Sequence, residues 1–252
     1  MNLYERFKSA AEEVRNQFPE FNKRAFVLGN QIRTLLGIQT ADLTAYSSLP
    51  GLSELNMSGG GITTFKDIPG SLIATEPQFE NEDHLDDRLR ASGIRVLQLL
   101  GIEEVIIIGV GSPLDLKDAG ELFFWAEDHV NLSGINPLVG PNLDQIVERF
   151  PDMTAVYDES LTSEAVSVAK TEGFEVEKGI WAALNSDNEL SNEHSERFGD
   201  SFISYSSKEV ICEVIASAHG NTTTALGLLL NPAEGAGKRL RKVLQRLVNQ
   251  SK

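Results

Sequence analysis

Residues 102–110 constrain the fold of this chain most, because they read Ile-Glu-Glu-Val-Ile-Ile-Ile-Gly-Val. The β-branched residues follow one another almost without polar interruption. A strand with one solvated face alternates apolar and polar residues, whereas an unbroken apolar run indicates burial on both faces. Such strands lie at the centre of parallel sheets that helices cover. The segment therefore predicts an α/β protein.

Strand-like and helix-like segments alternate along most of the remaining chain. Strands are predicted at residues 25–28, 122–132, 180–184, 201–205 and 222–230, and helices near 3–18, 85–100, 161–169, 210–218 and 240–248. Neither an internal repeat nor a linker divides the 252 residues. We therefore expect one α/β domain over residues 1–252, with a central, largely parallel mixed sheet flanked by helices.

Residues 47–84 are the part of the chain where regular structure is hardest to predict. They contain Pro50-Gly51, three consecutive glycines at positions 59–61, and Pro69-Gly70. Proline and glycine in such pairs interrupt helices and strands. We therefore expect irregular or mobile structure here.

Composition limits the possible partners. The chain has 37 acidic and 22 basic residues, a formal net charge of −15, so a nucleic-acid partner is not expected. No apolar run is long enough to span a membrane, and no membrane partner is expected. Cys212 is the only cysteine, which rules out an intrachain disulfide and favours a reducing, cytoplasmic location. Its apolar surroundings in the sequence predict a buried, inert thiol.

The most specific motif covers residues 128–142, which read Asp-His-Val-Asn-Leu-Ser-Gly-Ile-Asn-Pro-Leu-Val-Gly-Pro-Asn. Phe150-Pro151-Asp152-Met153 and Tyr157-Asp158 follow it. This string resembles the loop of the trimeric purine nucleoside phosphorylases, Asp-His-Ile-Asn-Leu-x-Gly-x-Asn-Pro-Leu-x-Gly-Pro-Asn, which precedes Phe-Pro-x-Met-x-x-x-Tyr-Asp. Residues 95–101, Arg-Val-Leu-Gln-Leu-Leu-Gly, resemble the family's segment before its central strand. The resemblance is strong only over residues 128–158.

The resemblance implies a nucleoside-phosphorylase-like fold, a homotrimer and a purine nucleoside or base as ligand. Members of this family split the N-glycosidic bond of inosine and guanosine, with phosphate as co-substrate. The resemblance implies no metal and no cofactor besides that phosphate. The reaction needs an anion site, a grip on the ribose and a hydrogen-bond donor near N7 of the departing purine.

Five positions match the family's base and ribose site. Asn231 resembles the asparagine whose amide donates to purine N7, although Asn-Pro is also a common turn. Glu189 resembles the glutamate that reads the purine edge, or it is a surface acid. Tyr205 falls at the ribose-contacting methionine, and Val110 falls in the family's Asn-Ala-Ala-Gly-Gly segment. Phe150 matches an aromatic residue that reaches into the neighbouring subunit.

The phosphate site is rewritten at almost every matching position. Asn30 lies where the family has Gly-Ser-Gly-Leu-Gly, and Ser71 replaces a histidine. Gln78 replaces the phosphate-binding arginine, and Glu80 replaces the histidine that follows it. Ser206 alone resembles a phosphate-contacting serine. Because carboxylates repel phosphate, efficient phosphorolysis by the family's route is not expected.

Three functions remain open from the sequence. The first is phosphorolysis with phosphate ligands from other positions, such as Arg33, Arg88 or Arg90. The second is hydrolysis, with a carboxylate such as Glu80 or Asp83 as general base for water. The third is a non-catalytic homologue that keeps the assembly and a base pocket, as a binding or scaffold protein. Family membership favours the first function, and the substituted residues favour the third.

Overall fold

A computed structural model describes residues 1–65, 68–80, 85–114, 120–146, 149–185 and 203–250. The helices of these residues are α1 (Leu3–Gln17), α2 (Asn30–Leu35), α3 (Ser92–Leu100), α4 (Glu159–Thr171), α5 (Ile211–His219) and α6 (Ala236–Asn249). The strands are β1 (Arg24–Leu28), β2 (Thr44–Ala45), β3 (Met57–Gly59), β4 (Gly61–Phe65), β5 (Ile68–Thr75), β6 (Gln78–Phe79), β7 (Glu104–Pro113), β8 (Leu122–Asn131), β9 (Val176–Ala183), β10 (Ile203–Ser207) and β11 (Thr223–Leu230).

Nine of these strands form one mixed sheet in the order β10-β9-β8-β11-β7-β1-β5-β4-β2. Strands β5, β1, β7 and β11 run parallel to one another, while β8 pairs antiparallel with β11. The end of β10 also pairs with the end of β7, which closes five strands into a small barrel. The predicted α/β class with a mixed sheet is confirmed.

The two faces of the sheet bury separate apolar cores. Along β7, Val105 and Ile107 pack on the side of α1, α3 and α5, whereas Ile106 and Ile108 pack on the side of α2, α4 and α6. Successive side chains of a strand point to opposite faces, so an unbroken apolar run supplies both cores. This explains why residues 102–110 have so few polar residues.

The structure corrects the prediction of irregular structure over residues 47–84. This segment contributes β4 and β5 to the main sheet, and β3 and β6 form a separate pair. Two of its glycines permit close backbone approach: a Cβ at Gly61 would lie 2.4 Å from the carbonyl oxygen of Thr44, and Gly60 has a φ of +82°. The glycines therefore serve strand packing rather than a loop.

Candidate functional site

The candidate site lies at the carboxyl ends of the parallel strands. In open α/β sheets, ligands bind outside this edge because the loops that follow the strands converge there. Here the edge is formed by Gly29 and Asn30 after β1, Glu76 after β5, Val110 near the end of β7, and Asn231 after β11. The turn after β10 joins them, since the Ser207 hydroxyl donates to the carbonyl of Val110.

Glu209, in that turn, accepts hydrogen bonds from backbone amides of α2 and β7. Its Oε1 accepts from the N–H of Gln31 at 3.2 Å, and its Oε2 accepts from the N–H of Val110 at 3.2 Å. A Cβ at position 29 would lie 2.2 Å from Oε2, so the carboxylate fits only because this residue is Gly29. Burial raises the pKa of Glu209, while the two backbone hydrogen bonds act in the opposite direction.

Glu76 is a second carboxyl group at the same edge. Its oxygens lie 3.3 Å from the Asn30 side-chain nitrogen and 3.4 Å from the Val210 backbone nitrogen. Burial raises its pKa to about 7, and the negative charge of Glu209 adds to the increase. Burial and the charge of Glu209 make Glu76 the readily protonated carboxyl group, whereas the backbone hydrogen bonds from Gln31 and Val110 favour the anionic form of Glu209.

A third carboxyl group, Glu213, lies behind these two on α5. It is fully buried, and its Oε2 has no hydrogen-bond partner among the described residues. Burial raises its pKa well above the usual value, and Glu76 contributes further. Arg90 is the cation that opposes both pKa shifts, and its Nε donates to Asp87 at 3.1 Å. The site is therefore acidic at its centre.

The turn that carries these acids has a strained backbone. Val210 has a φ of +67°, in the left-handed region that β-branched residues rarely adopt. Such a conformation costs on the order of 1–3 kcal/mol and persists only where surrounding contacts fix it. The Val210 N–H contact to Glu76 and the Glu209 N–H bond to the Ser207 hydroxyl at 3.1 Å are two such contacts.

The residues predicted for phosphate lie in different places. Asn30 reaches the edge, but its side-chain amide faces Glu76. Ser206 is buried, with its hydroxyl 3.5 Å from the carbonyl of Ser112. Ser71 is fully buried within β5, where its hydroxyl donates to the carbonyl of Arg24 at 3.3 Å. Gln78 is exposed on β6 and packs against Gly59.

The arginines considered as substitute phosphate ligands have protein partners. Arg88 donates to the Asp86 carboxylate and to the carbonyl of Pro141. Arg90 is paired with Asp87, as described above. Arg33 lies 3.5 Å from the Thr40 hydroxyl. Of the two carboxylates considered as bases for water, Glu80 is exposed and Asp83 lies outside the described residues.

The residues predicted to contact the base and ribose also lie in different parts of the structure. Val110 is at the edge, and its N–H is bonded to Glu209. Tyr205 points into the protein, where its hydroxyl donates to Glu177 at 2.5 Å and its ring packs on Phe124. Asn231 is exposed directly after β11, with a φ of +44°. Glu189 lies outside the described residues, and Phe150 is 84% exposed.

Sequence reasoning did not find Glu209 or Glu213. The resemblance to the family directed attention to Ser206, three residues before Glu209. One signal was present: Glu213 interrupts the apolar helical pattern of residues 210–218, and an acid on a buried helix face requires a partner or a function. Among the described residues, no cluster of His, Cys, Asp and Glu could hold a metal ion.

The cavity beside Glu76 at this edge is small. The cavity lined by Glu76, Arg90, Lys208 and Cys212 has a volume of only about 40 Å³. Small-molecule sites are usually roughly 300–1,000 Å³. This cavity is therefore too small to hold a nucleoside. Of the helices in the described part of the chain, none is long and apolar enough to cross a membrane.

The chain is similar in sequence to several known proteins. No protein-family model matches the chain. It is 28% identical to purine nucleoside phosphorylase 1 of Bacillus subtilis over 72% of the chain and 68% of that protein. It is 27% identical to purine nucleoside phosphorylase 1 of Geobacillus stearothermophilus over 70% of the chain and 65% of that protein. The matched region thus spans about two thirds of these relatives.

The fold is similar to that of a solved purine nucleoside phosphorylase. The crystal structure of Schistosoma mansoni purine nucleoside phosphorylase in complex with inosine superposes with a TM-score of 0.76. The superposition covers 98% of this chain and 96% of that one, at 18% identity. The architecture is therefore preserved over nearly the whole chain, although few of the residues are the same.

Proposed function

We propose that the chain is a divergent member of the purine nucleoside phosphorylase family that binds purine nucleosides or their bases without carrying out phosphorolysis. The family supports the ligand class, since a solved relative binds inosine. The residues at the edge support the loss of the reaction. The proposal has two parts, purine binding and the loss of phosphorolysis, and they are tested separately.

The observation that carries the proposal is the acidic centre of the edge. Glu209 and Glu76 contact the backbone after β1 and near the end of β7, where an incoming anion would need donors. Two unit charges about 4 Å apart interact by roughly 4 kcal/mol at an effective dielectric of ~20. Phosphate carries nearly two negative charges, so an ionised carboxylate there opposes its binding.

Purine binding rests on Asn231 at the end of β11. Its backbone is in the left-handed conformation, and the residue is exposed directly after the strand. A carboxamide can donate to a purine ring nitrogen and accept from an exocyclic group at the same time. We propose that Asn231 makes the base contact, with Glu189 as a second candidate for that role.

Two measurements on the purified protein test the proposal. Calorimetry with hypoxanthine and inosine measures binding, and release of hypoxanthine from inosine is followed with and without inorganic phosphate. Binding without turnover under either condition is the expected result. Phosphate-dependent release of hypoxanthine would contradict the loss of phosphorolysis, and absence of binding to both compounds would contradict the ligand class.

Hydrolysis is a second candidate function, favoured by the pKa of Glu76. A general base works best when its pKa is near the operating pH, and that of Glu76 is about 7. Water would form the bond to the ribose C1′ as the C1′–N9 bond breaks. Its proton would go to the carboxylate of Glu76, and the bonding electrons would leave with the purine. Release of hypoxanthine from inosine at the same rate with and without phosphate would establish this function instead.

We also propose a homotrimeric assembly through the surface around residues 130–150. Val139 is 64% exposed and Phe150 is 84% exposed, which is unusual for large apolar side chains in a chain with two well-packed cores. In the proposed assembly this surface is covered by a neighbouring subunit. Phe150 then lies beside that subunit's site.

A further inference from the structure

The carboxylate of Glu209 is bound by the protein's own backbone in the manner of an inorganic anion. Each oxygen accepts one amide N–H, from Gln31 and Val110, at 3.2 Å. These two amides belong to different elements, α2 and β7, and are separated by 79 positions in sequence. These two backbone N–H bonds favour the ionised form of Glu209 and so oppose the effect of burial, which raises its pKa.

The backbone beside the carboxylate of Glu209 leaves room for an oxygen atom to approach closely. Gly29 has no side chain, and a Cβ there would overlap Oε2 of Glu209 at 2.2 Å and lie 3.4 Å from the Cα of Gly109. Glycines at such positions let the backbone come near an anion. The two amides and Gly29 thus form a cradle that the carboxylate of Glu209 occupies.

We propose that Glu209 is the specificity-determining residue at this edge, a tethered anion that occupies the oxyanion position and so excludes inorganic phosphate. This deepens the proposed function and rests on it for the location of the site. The excluded ligand class is a free tetrahedral oxyanion, phosphate or sulfate. Water, which is neutral and smaller, is not excluded by the same contact.

The proposal differs from a purely structural role for Glu209. If the side chain only linked the strand ends, its removal would loosen the edge and create no affinity. If it fills an anion position, its removal leaves two N–H donors that lack an acceptor, and burying such donors is costly. A free anion then restores the lost bonds, so affinity for phosphate appears where none existed.

The variant Glu209→Ser tests this directly, with inorganic phosphate and sulfate as probes in calorimetry. The wild-type protein is expected to bind neither anion detectably, and Glu209→Ser is expected to bind phosphate at least about tenfold more tightly than the wild type. Glu12→Ser, on the exposed side of α1, is the control because it removes the same charge from the surface. The control is expected to behave like the wild type.

Amide chemical shifts locate the bound anion. Phosphate is expected to move the ¹⁵N–¹H signals of Gln31 and Val110 in Glu209→Ser and to leave them unchanged in the wild type. If Glu209→Ser does not fold by circular dichroism, Glu209→Ala, which also empties the anion position, is measured in its place. Phosphate binding by the wild type, or a folded variant with no gain in affinity, would show that the inference is wrong. Hypoxanthine binding is measured in parallel. If hypoxanthine still binds, the inference about Glu209 has failed while the proposed ligand class stands.

Discussion

At the scale of single residues, the site is defined by which atoms compete for the backbone amides at the strand ends. Glu209 takes the N–H groups of Gln31 and Val110, and Glu76 is left with the longer contacts at 3.3 and 3.4 Å. Burial raises the pKa of both acids, and the backbone hydrogen bonds to each oppose that increase. Chemistry at this edge therefore depends on two buried carboxyl groups that lie close enough for the charge of Glu209 to raise the pKa of Glu76.

Asn231 is expected to be essential for purine binding. Asn231→Ala removes the amide, and Asn231→Gly removes it without straining the left-handed backbone. Both variants should reduce the affinity for hypoxanthine by about tenfold or more, the equivalent of about 1.4 kcal/mol. Asn221→Gly is a matched control, because Asn221 has a φ of +52° and is exposed after α5. Unchanged affinity in Asn231→Gly would show that this residue only forms a turn.

Glu76 should make stability depend on pH. Its pKa is raised to about 7 in the folded state, so the folded protein binds a proton that the unfolded chain releases at lower pH. The stabilisation is full below the unfolded pKa and is lost as the pH rises through about 7. Urea unfolding is expected to show a loss on the order of 2 kcal/mol between pH 5 and pH 8.

Glu76→Gln is expected to make that profile flatter, because an amide in place of the carboxyl group does not titrate. Glu213 and Glu209 also have raised pKa values, so part of the pH dependence should remain in the variant. A variant with the same slope as the wild type would assign the effect to those two acids alone.

At the scale of helices and strands, local sequence predicts the elements whose contacts are local or whose apolar pattern is strong. β7, β8, α4 and α6 follow from β-branched runs and helical spacing, and the structure confirms each of them. β4 and β5 were missed because their glycines favour loops when only the sequence is considered. Gly61 is there because the backbone of Thr44 approaches it, a tertiary contact with no local signal.

The cap of α4 is an element whose contribution can be measured. The Asp158 side chain accepts from the N–H of Leu161 at 2.7 Å, which satisfies one of the first free amides of the helix. Asp158→Ala is expected to lower the free energy of unfolding by about 1 kcal/mol, and Asp158→Asn should retain most of that stability. Equal losses in the two variants would mean that the negative charge, rather than the hydrogen bond, stabilises the helix. Urea unfolding of the three proteins provides the comparison.

The candidate site was harder to predict than the fold, because it also depends on contacts between residues that are far apart in sequence. Asn30, Val110 and Asn231 follow strands, so their convergence could be predicted from the parallel order. The role of Glu209 depends on how the turn after β10 folds back on Gln31, which is 178 positions away in sequence. Val210 maintains that turn in a conformation its residue type disfavours. A strained turn of this kind is not visible in periodicity or composition.

At the scale of the whole molecule, the surface around residues 130–150 determines the expected assembly. Apart from Met1, the strongly exposed large apolar side chains of the described residues all lie in this stretch: Val130, Leu132, Val139 and Phe150. Such a concentration on an otherwise charged chain indicates a surface that another protein covers. A second and third copy of the chain are the partners that we propose.

Light scattering after size exclusion should therefore give three times the mass of one chain. Val139→Glu places a charge in the proposed interface, where its desolvation is costly, and should shift the population towards single chains. Ser163→Glu, on the exposed side of α4, adds the same charge elsewhere and should leave the mass unchanged. A monomeric wild-type protein would contradict the assembly. If Phe150 also completes a neighbour's site, Val139→Glu should weaken hypoxanthine binding in parallel with the loss of trimer, whereas Ser163→Glu should not.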